Sequence, residues 1–161
     1  MVRRRPLLLA GASAALGLAG VAAVALWPRA LEPSTTLLPD DPQVVALGET
    51  VYAAQCAACH GANLEGQPNW RERGPDGRLP APPHDETGHT WHHPDALLFE
   101  LTKEGPPKEM GNGEPYLSNM PAYEGVLSDE EIVTVLSYIK SRWPAEVRER
   151  HDALNAQMAV Q

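Results

Sequence analysis

The chain has 161 residues with 13 Lys+Arg against 21 Asp+Glu, a formal net charge of −8 that becomes −11 once Arg3, Arg4 and Arg5 are set aside. That length suits one modest domain and excludes a two-domain enzyme, and the acidity outside the N-terminus excludes general nucleic-acid binding. With 16 Pro, 13 Gly, one Phe and 6% aromatic residues, a loop-rich domain must fill its centre with something other than aromatic side chains, and a large prosthetic group would do so.

From Pro6 to Trp27 no side chain is charged. At about 1.5 Å rise per residue a helix over this run spans a hydrocarbon core of about 30 Å. Residues 1–27 are therefore expected to form a membrane anchor, an N-terminal transmembrane helix. Arg3, Arg4 and Arg5 would stay on the cytoplasmic side and Trp27 would sit at the far interface, which places the remainder in the periplasm or an equivalent space. The alternative is a cleaved signal peptide, for which Ala23-Val24-Ala25 has the small-x-small pattern, leaving a soluble periplasmic product. Either way the destination lies outside the cytoplasm.

Residues 28–41 are rich in Pro, Ser and Thr without periodicity and read as a linker. A first helix is expected next: Asp40 or Asp41 can cap it, Pro42 fits its first turn, and Val44, Leu47, Gly48, Val51 and Tyr52 recur at helical spacing. It runs into Cys56-Ala57-Ala58-Cys59-His60. Residues 61–90 are broken by Gly and Pro and predict loops. Pro94 then opens a second helix, with Asp95 near its positive end, Leu97, Leu98 and Leu101 as its apolar stripe, and Gly105 as its end. A third begins at Ser128, where Ser128 and Glu131 form a capping box, buries Ile132, Val135, Leu136 and Ile139, and closes at Trp143-Pro144. Residues 42–144 are thus the expected folded domain, and residues 145–161 a helical tail, peripheral or frayed, with few packing residues.

The only two cysteines of the chain stand in the Cys-x-x-Cys-His pattern. Within one helical turn two thiols can each add to a vinyl group of a single haem while the adjacent imidazole addresses the iron, which is the pattern of c-type haem attachment. Cys56 and Cys59 are therefore expected to form the thioethers of one covalent haem c, and His60 to be an axial ligand. A disulfide and a thioredoxin-like thiol exchanger are the rivals. The latter expects the motif at the start of a helix in a βαβ context, whereas here helical periodicity precedes it. Zinc would leave half of a tetrahedral ligand set unassigned.

An iron that only exchanges electrons needs a sixth ligand, for which Met110, Met120, Met158 and the histidines at 84, 89, 92, 93 and 151 are candidates. Met120 is best placed, since Pro121 stiffens the chain after it and a long loop separates it from the motif. A thioether opposite His raises the potential and blocks substrate access. The stretch containing His84, His89, His92 and His93 also invites a copper or zinc reading. The reading preferred here is a helix start with imidazoles at the surface or near a haem propionate, with Trp91 packing on the haem.

The helix carrying Gly48 and Tyr52, the CAACH motif, Asn119-Met120-Pro121-Ala122-Tyr123 and the helix from Leu127-Ser128-Asp129-Glu130-Glu131-Ile132 to Tyr138-Ile139 together resemble the class I c-type cytochromes over about residues 43–143. The resemblance implies an all-α fold in which the first and last helices cross, with Gly48 or Tyr52 against the face bearing Leu136 and Tyr138 or Ile139. It also implies a proline, Pro82 or Pro83, whose carbonyl accepts the N–H of the proximal histidine. The function implied is a monohaem electron carrier, not an enzyme, that meets redox protein partners and takes no small-molecule substrate. A cytochrome subunit of a dehydrogenase or oxidase complex is an alternative, and a periplasmic copper- or thiol-handling protein another. The anchor, the loop from Arg71 to His93 and the tail after Trp143 depart from the compact family pattern.

Overall fold

A helix can begin at Pro42 because Asp41 satisfies its first free amides: the Asp41 carboxylate accepts from the N–H groups of Gln43 and Val44 at 2.9 and 3.2 Å, and Pro42 has no N–H to orphan. In the computed structural model, which describes residues 35–110 and 115–159, this helix is α1, Pro42–Gln55. A short α2, Ala57–His60, follows directly. Then come a 3-10 turn at Thr90–His92, α3 at Asp95–Glu104, a second 3-10 turn at Lys108–Met110, α4 at Asp129–Ser141 and α5 at Ala145–Met158. Among the described residues there is no strand, only an isolated bridge between Glu124 and Leu127. The all-α expectation therefore holds. All of them belong to one compact unit, Pro33–Gln161. The expected anchor, residues 1–27, lies outside the described residues, and among those described no helix is long and apolar enough to cross a membrane.

Helix α4 forms the centre. Ser128 Oγ accepts from the Glu131 N–H at 3.2 Å while the Glu131 carboxylate accepts from the Ser128 N–H at 2.8 Å, so the expected capping box is present. Ile132 and the run from Thr134 to Lys140 are buried. Helix α1 crosses α4 at Gly48, where a Cβ would run into the Thr134 carbonyl and come within 2.8 Å of Tyr138 Cβ. Four residues on, the Tyr52 ring lies 5.4 Å from that of Tyr138. The crossing thus uses Tyr138 as expected, but its other contact is the Thr134 backbone, while Leu136 and Ile139 face a cavity on the other side of α4. Leu47, expected on the buried stripe of α1, is 60% exposed. So close an approach confines contact to a narrow strip, and consecutive helical residues do not share a face.

Leu98, Phe99 and Thr102 are the buried face of α3, whose C-terminal cap is Gly105 at φ 80°. The helical tail expected at residues 145–161 is present as α5, but it is packed on the domain rather than frayed. Its Val147 and His151 are buried, His151 completely. The His151 Nε2–H donates to the His93 carbonyl at 2.9 Å, and Asn155 exchanges two hydrogen bonds with Asp95, to its carboxylate at 3.0 Å and from its N–H at 2.8 Å. The same Asp95 carboxylate accepts from the N–H of Leu37 at 3.2 Å. Leu37, in the stretch read as a linker, is itself buried, and the Leu38 N–H donates to Ser137 Oγ at 2.9 Å.

Candidate functional site

The break between α1 and α2 falls at Cys56, whose carbonyl accepts the N–H groups of both Cys59 and His60, at 3.1 and 2.9 Å. This single tight turn brings the motif to the mouth of a cavity of about 240 Å³, lined on the motif side by Cys56, Cys59 and His60. Leu98 and Leu101 from α3 and Val135, Leu136 and Ile139 from α4 supply apolar walls, and the segments Leu79 to Pro82 and Ser118 to Pro121 line it further. Gly61 ends the turn at φ 81°, a conformation natural to glycine.

His60 is oriented by one bond. Its Nδ1 lies 2.8 Å from the Pro82 carbonyl, and because a carbonyl can only accept, Nδ1 carries the proton and Nε2 keeps its lone pair. Of the two prolines left open by the sequence, Pro82 is the one in contact. Burial lowers the His60 pKa, and the bond to Pro82 opposes this without cancelling it, so the ring is neutral near pH 7, as a metal ligand must be. His84 stacks on His60 with ring centroids 3.9 Å apart, and its Nδ1 lies 2.8 Å from Thr90 Oγ1. His84 thus lines the cavity on the same side as His60.

Cys56 and Cys59 form no disulfide with each other, and they are half-buried and exposed respectively. Burial, helped by the charge of Cys59, pushes the Cys56 thiol up to about 11. A thiol exchanger needs the reverse, a thiol activated by a depressed pKa.

Met120 lines the same cavity, from a segment in which its N–H donates to Ser118 Oγ at 2.9 Å. The other sixth-ligand candidates fare differently. Met158 is 51% exposed near the end of α5 and His151 is locked into the contacts of that helix. Met110 ends the second 3-10 turn. His89 and His93 reach the cavity, whereas His92 lies flat on Trp91 at 3.7 Å. Trp91, expected to pack on the haem, does not line the cavity. Its turn buries Thr90 and leaves the indole half-buried against the hydrophobic core, where Nε1–H reaches the Glu86 carbonyl at 3.4 Å.

The histidine cluster is divided in the same way. His89 stacks on Trp70 at 5.3 Å and meets His93 edge-on at 5.4 Å, while His92 is held by Trp91. Burial lowers the pKa of His89 and His93, and the neighbouring imidazoles add to the effect. Among the described residues no group of three or more His, Cys, Asp or Glu is placed to hold a metal ion. By contrast the donor set around the cavity fits a haem: two thiols one turn apart, a neutral imidazole with a free Nε2, a thioether, and largely apolar walls.

Two tyrosines were not singled out for the site by their position in the sequence. The Tyr52 hydroxyl donates to the Gly61 carbonyl at 2.8 Å and the Tyr123 hydroxyl to the Gln55 carbonyl at 2.7 Å, so the two bracket the motif. Burial raises the pKa of both, and both hydroxyls remain donors at neutral pH. Their spacing from the motif is legible, but the partner of a phenolic hydroxyl is not.

A family model described as Cytochrome c matches residues 45–143 of the chain. No curated protein and no solved structure matches it.

Proposed function

The chain belongs to the cytochrome c family, carries covalently attached haem c and is a haem-containing electron carrier, and from that premise we propose a membrane-anchored monohaem carrier with His60 and Met120 as its axial ligands. The observation that carries this reading is the bond from His60 Nδ1–H to the Pro82 carbonyl, which leaves Nε2 as the only ring nitrogen free for iron, at a cavity that Met120 also lines. Haem bound there supplies the one-electron cycling between ferrous and ferric iron. The protein holds His60 in one tautomer through Pro82 and lines the cavity with the apolar Leu98, Leu101 and Ile139, and Met120 would offer its thioether sulfur, which favours the reduced state and competes with exogenous ligands. Cys56 and Cys59 supply the thioether links.

Replacing Met120 tests the ligand assignment. Met120→Ala keeps covalent haem, measured by the alkaline pyridine spectrum, but lowers the reduction potential and admits carbon monoxide to the reduced protein. Met110→Ala leaves both properties unchanged. Exchange of the two phenotypes assigns Met110 instead, and no change in either variant assigns a histidine such as His89 or His93.

The location rests on the uncharged run of residues 6–27 and its arginine flank: the anchor stays in the cytoplasmic membrane and the haem domain lies on the periplasmic face. Mass spectrometry of the mature protein decides it, because a product beginning near Leu26 is a diffusible carrier. With a net charge of −11 beyond the N-terminal arginines, redox partners dock through Lys/Arg patches, and association slows as salt rises. Stopped-flow rates that stay flat with salt would reduce the acidic surface to a solubility feature.

A further inference from the structure

Tyr123 ties together the two segments that carry the axial ligands. Its hydroxyl donates to the carbonyl of Gln55, 68 residues earlier, at 2.7 Å, and Gln55 immediately precedes Cys56. In the other direction Tyr123 stands three residues after Met120, with Pro121 between them. Three residues of fully extended chain reach at most about 11 Å, and Pro121 removes one of the backbone rotations within that span. Tyr123 is itself fixed: it is 8% exposed, its N–H donates to the Thr102 carbonyl at 3.2 Å, and its own carbonyl accepts from Val126 and Leu127, both at 2.9 Å. The ring lines the cavity beside Cys56. Tyr52 makes the corresponding bond at the far end of the motif, to the Gly61 carbonyl at 2.8 Å. That bond joins residues only nine apart, lies outside the cavity lining, and holds nothing of the Met120 segment.

We infer that Tyr123 is a positioning residue for the sixth ligand: its hydroxyl bond to the Gln55 carbonyl pins the Met120 segment to the haem-attachment turn and slows release of the thioether from iron. The inference rests on Met120 being that ligand. It assigns to Tyr123 a role separate from packing, because the aromatic ring would fill the same space without the hydroxyl.

The test uses the full-length ferric holoprotein and cyanide, which binds iron once the methionine has left. Tyr123→Phe keeps the ring and removes the bond. Cyanide binding is expected to accelerate about fivefold, the equivalent of about 1 kcal/mol of hydrogen bond, with covalent haem unchanged by the pyridine assay. Tyr52→Phe loses a matched bond and is expected to stay within about twofold of the wild type on the same scale. Equal acceleration in both variants, or none in Tyr123→Phe, overturns the inference, the first by showing general loosening and the second by showing no restraint. Met120→Ala separates the two levels. If it binds cyanide much faster than wild type while Tyr123→Phe does not, only the role of Tyr123 falls. If it leaves cyanide binding unchanged, the ligand assignment and the role built on it fall together.

Discussion

The α1–α4 crossing and the seat of α5 are both helix contacts, made by opposite chemistry. At the crossing there is almost nothing to titrate: Gly48 lets the α1 backbone reach the Thr134 carbonyl, and Tyr52 and Tyr138 fill the next turn. At α5 the contact is polar. The Asp95 carboxylate gathers Asn155 and the Leu37 amide, Lys140, only 4% exposed, pairs with Asp152 at 2.6 Å and lies 3.8 Å from Asp95, and His151 caps the His93 carbonyl. The first contact is limited by volume and should be indifferent to pH. The second tolerates some change of volume and depends on protonation.

The largest effect is expected at the crossing. Gly48→Ala puts a methyl group against backbone that has no rotamer to yield, at a cost of about 3 kcal/mol or more. Denaturant unfolding of the holoprotein measures this, and a loss under about 1 kcal/mol would show that the helices separate more easily than the packing implies. Next is Asp95→Ala, which orphans the Leu37 amide, leaves the Asn155 amide with only its longer contact to His151 Nδ1 and leaves Lys140 with one partner. Its expected cost is about 2–3 kcal/mol, read in the same assay together with faster amide exchange in α5 and at Leu37.

His151→Gln sharpens the contrast through pH. Burial and the Lys140 ammonium outweigh the Asp95 carboxylate and hold the His151 pKa below its ordinary value of 6.5. The unfolded chain therefore binds the extra proton first. The stability contributed by neutral His151 is complete above about pH 6.5 and is lost as pH falls toward the native value. His151→Gln should cost about 1–2 kcal/mol at pH 7.5 and should show a shallower decline on acidification, by up to about 1.4 kcal/mol per pH unit. Thermal unfolding between pH 7.5 and 5 follows the two curves, and parallel curves would remove His151 from the acid response. The smallest change is Ser128→Ala, which removes the N-terminal cap of α4 at a cost of about 1 kcal/mol. It should also soften the acid response below the ordinary carboxylate range, because the Ser128 N–H and hydroxyl hold the Glu131 pKa below its usual value and the variant keeps only the first of these bonds.

Much of this is legible in the sequence because it depends on neighbours in the chain. Asp41-Pro42, Ser128 with Glu131, and Pro94 with Gly105 mark helix ends through bonds made within a few residues, and all three stand as expected. The Cys-x-x-Cys-His turn is local in the same sense. The structure departs from the sequence expectation where residues distant along the chain choose a partner. Trp91 is a large aromatic near the motif, yet the turn at Thr90–His92 sends it away from the cavity. The tail looked poor in packing residues because its contacts are polar, and no hydrophobic period announces Asn155 on Asp95 or His151 on His93.

The sequence by itself determined the all-helical framework, the haem-attachment turn and the short set of candidate ligands, because helix capping, periodicity and a five-residue motif act over one or two turns. Only the tertiary structure decided that Pro82 rather than Pro83 holds His60, that His84 lies against His60, and that Tyr123 reaches Gln55. Those choices depend on which backbone carbonyl and which ring face arrive at the same place after the loops close, and directional bonds between residues 22 to 68 positions apart leave no periodic trace along the chain.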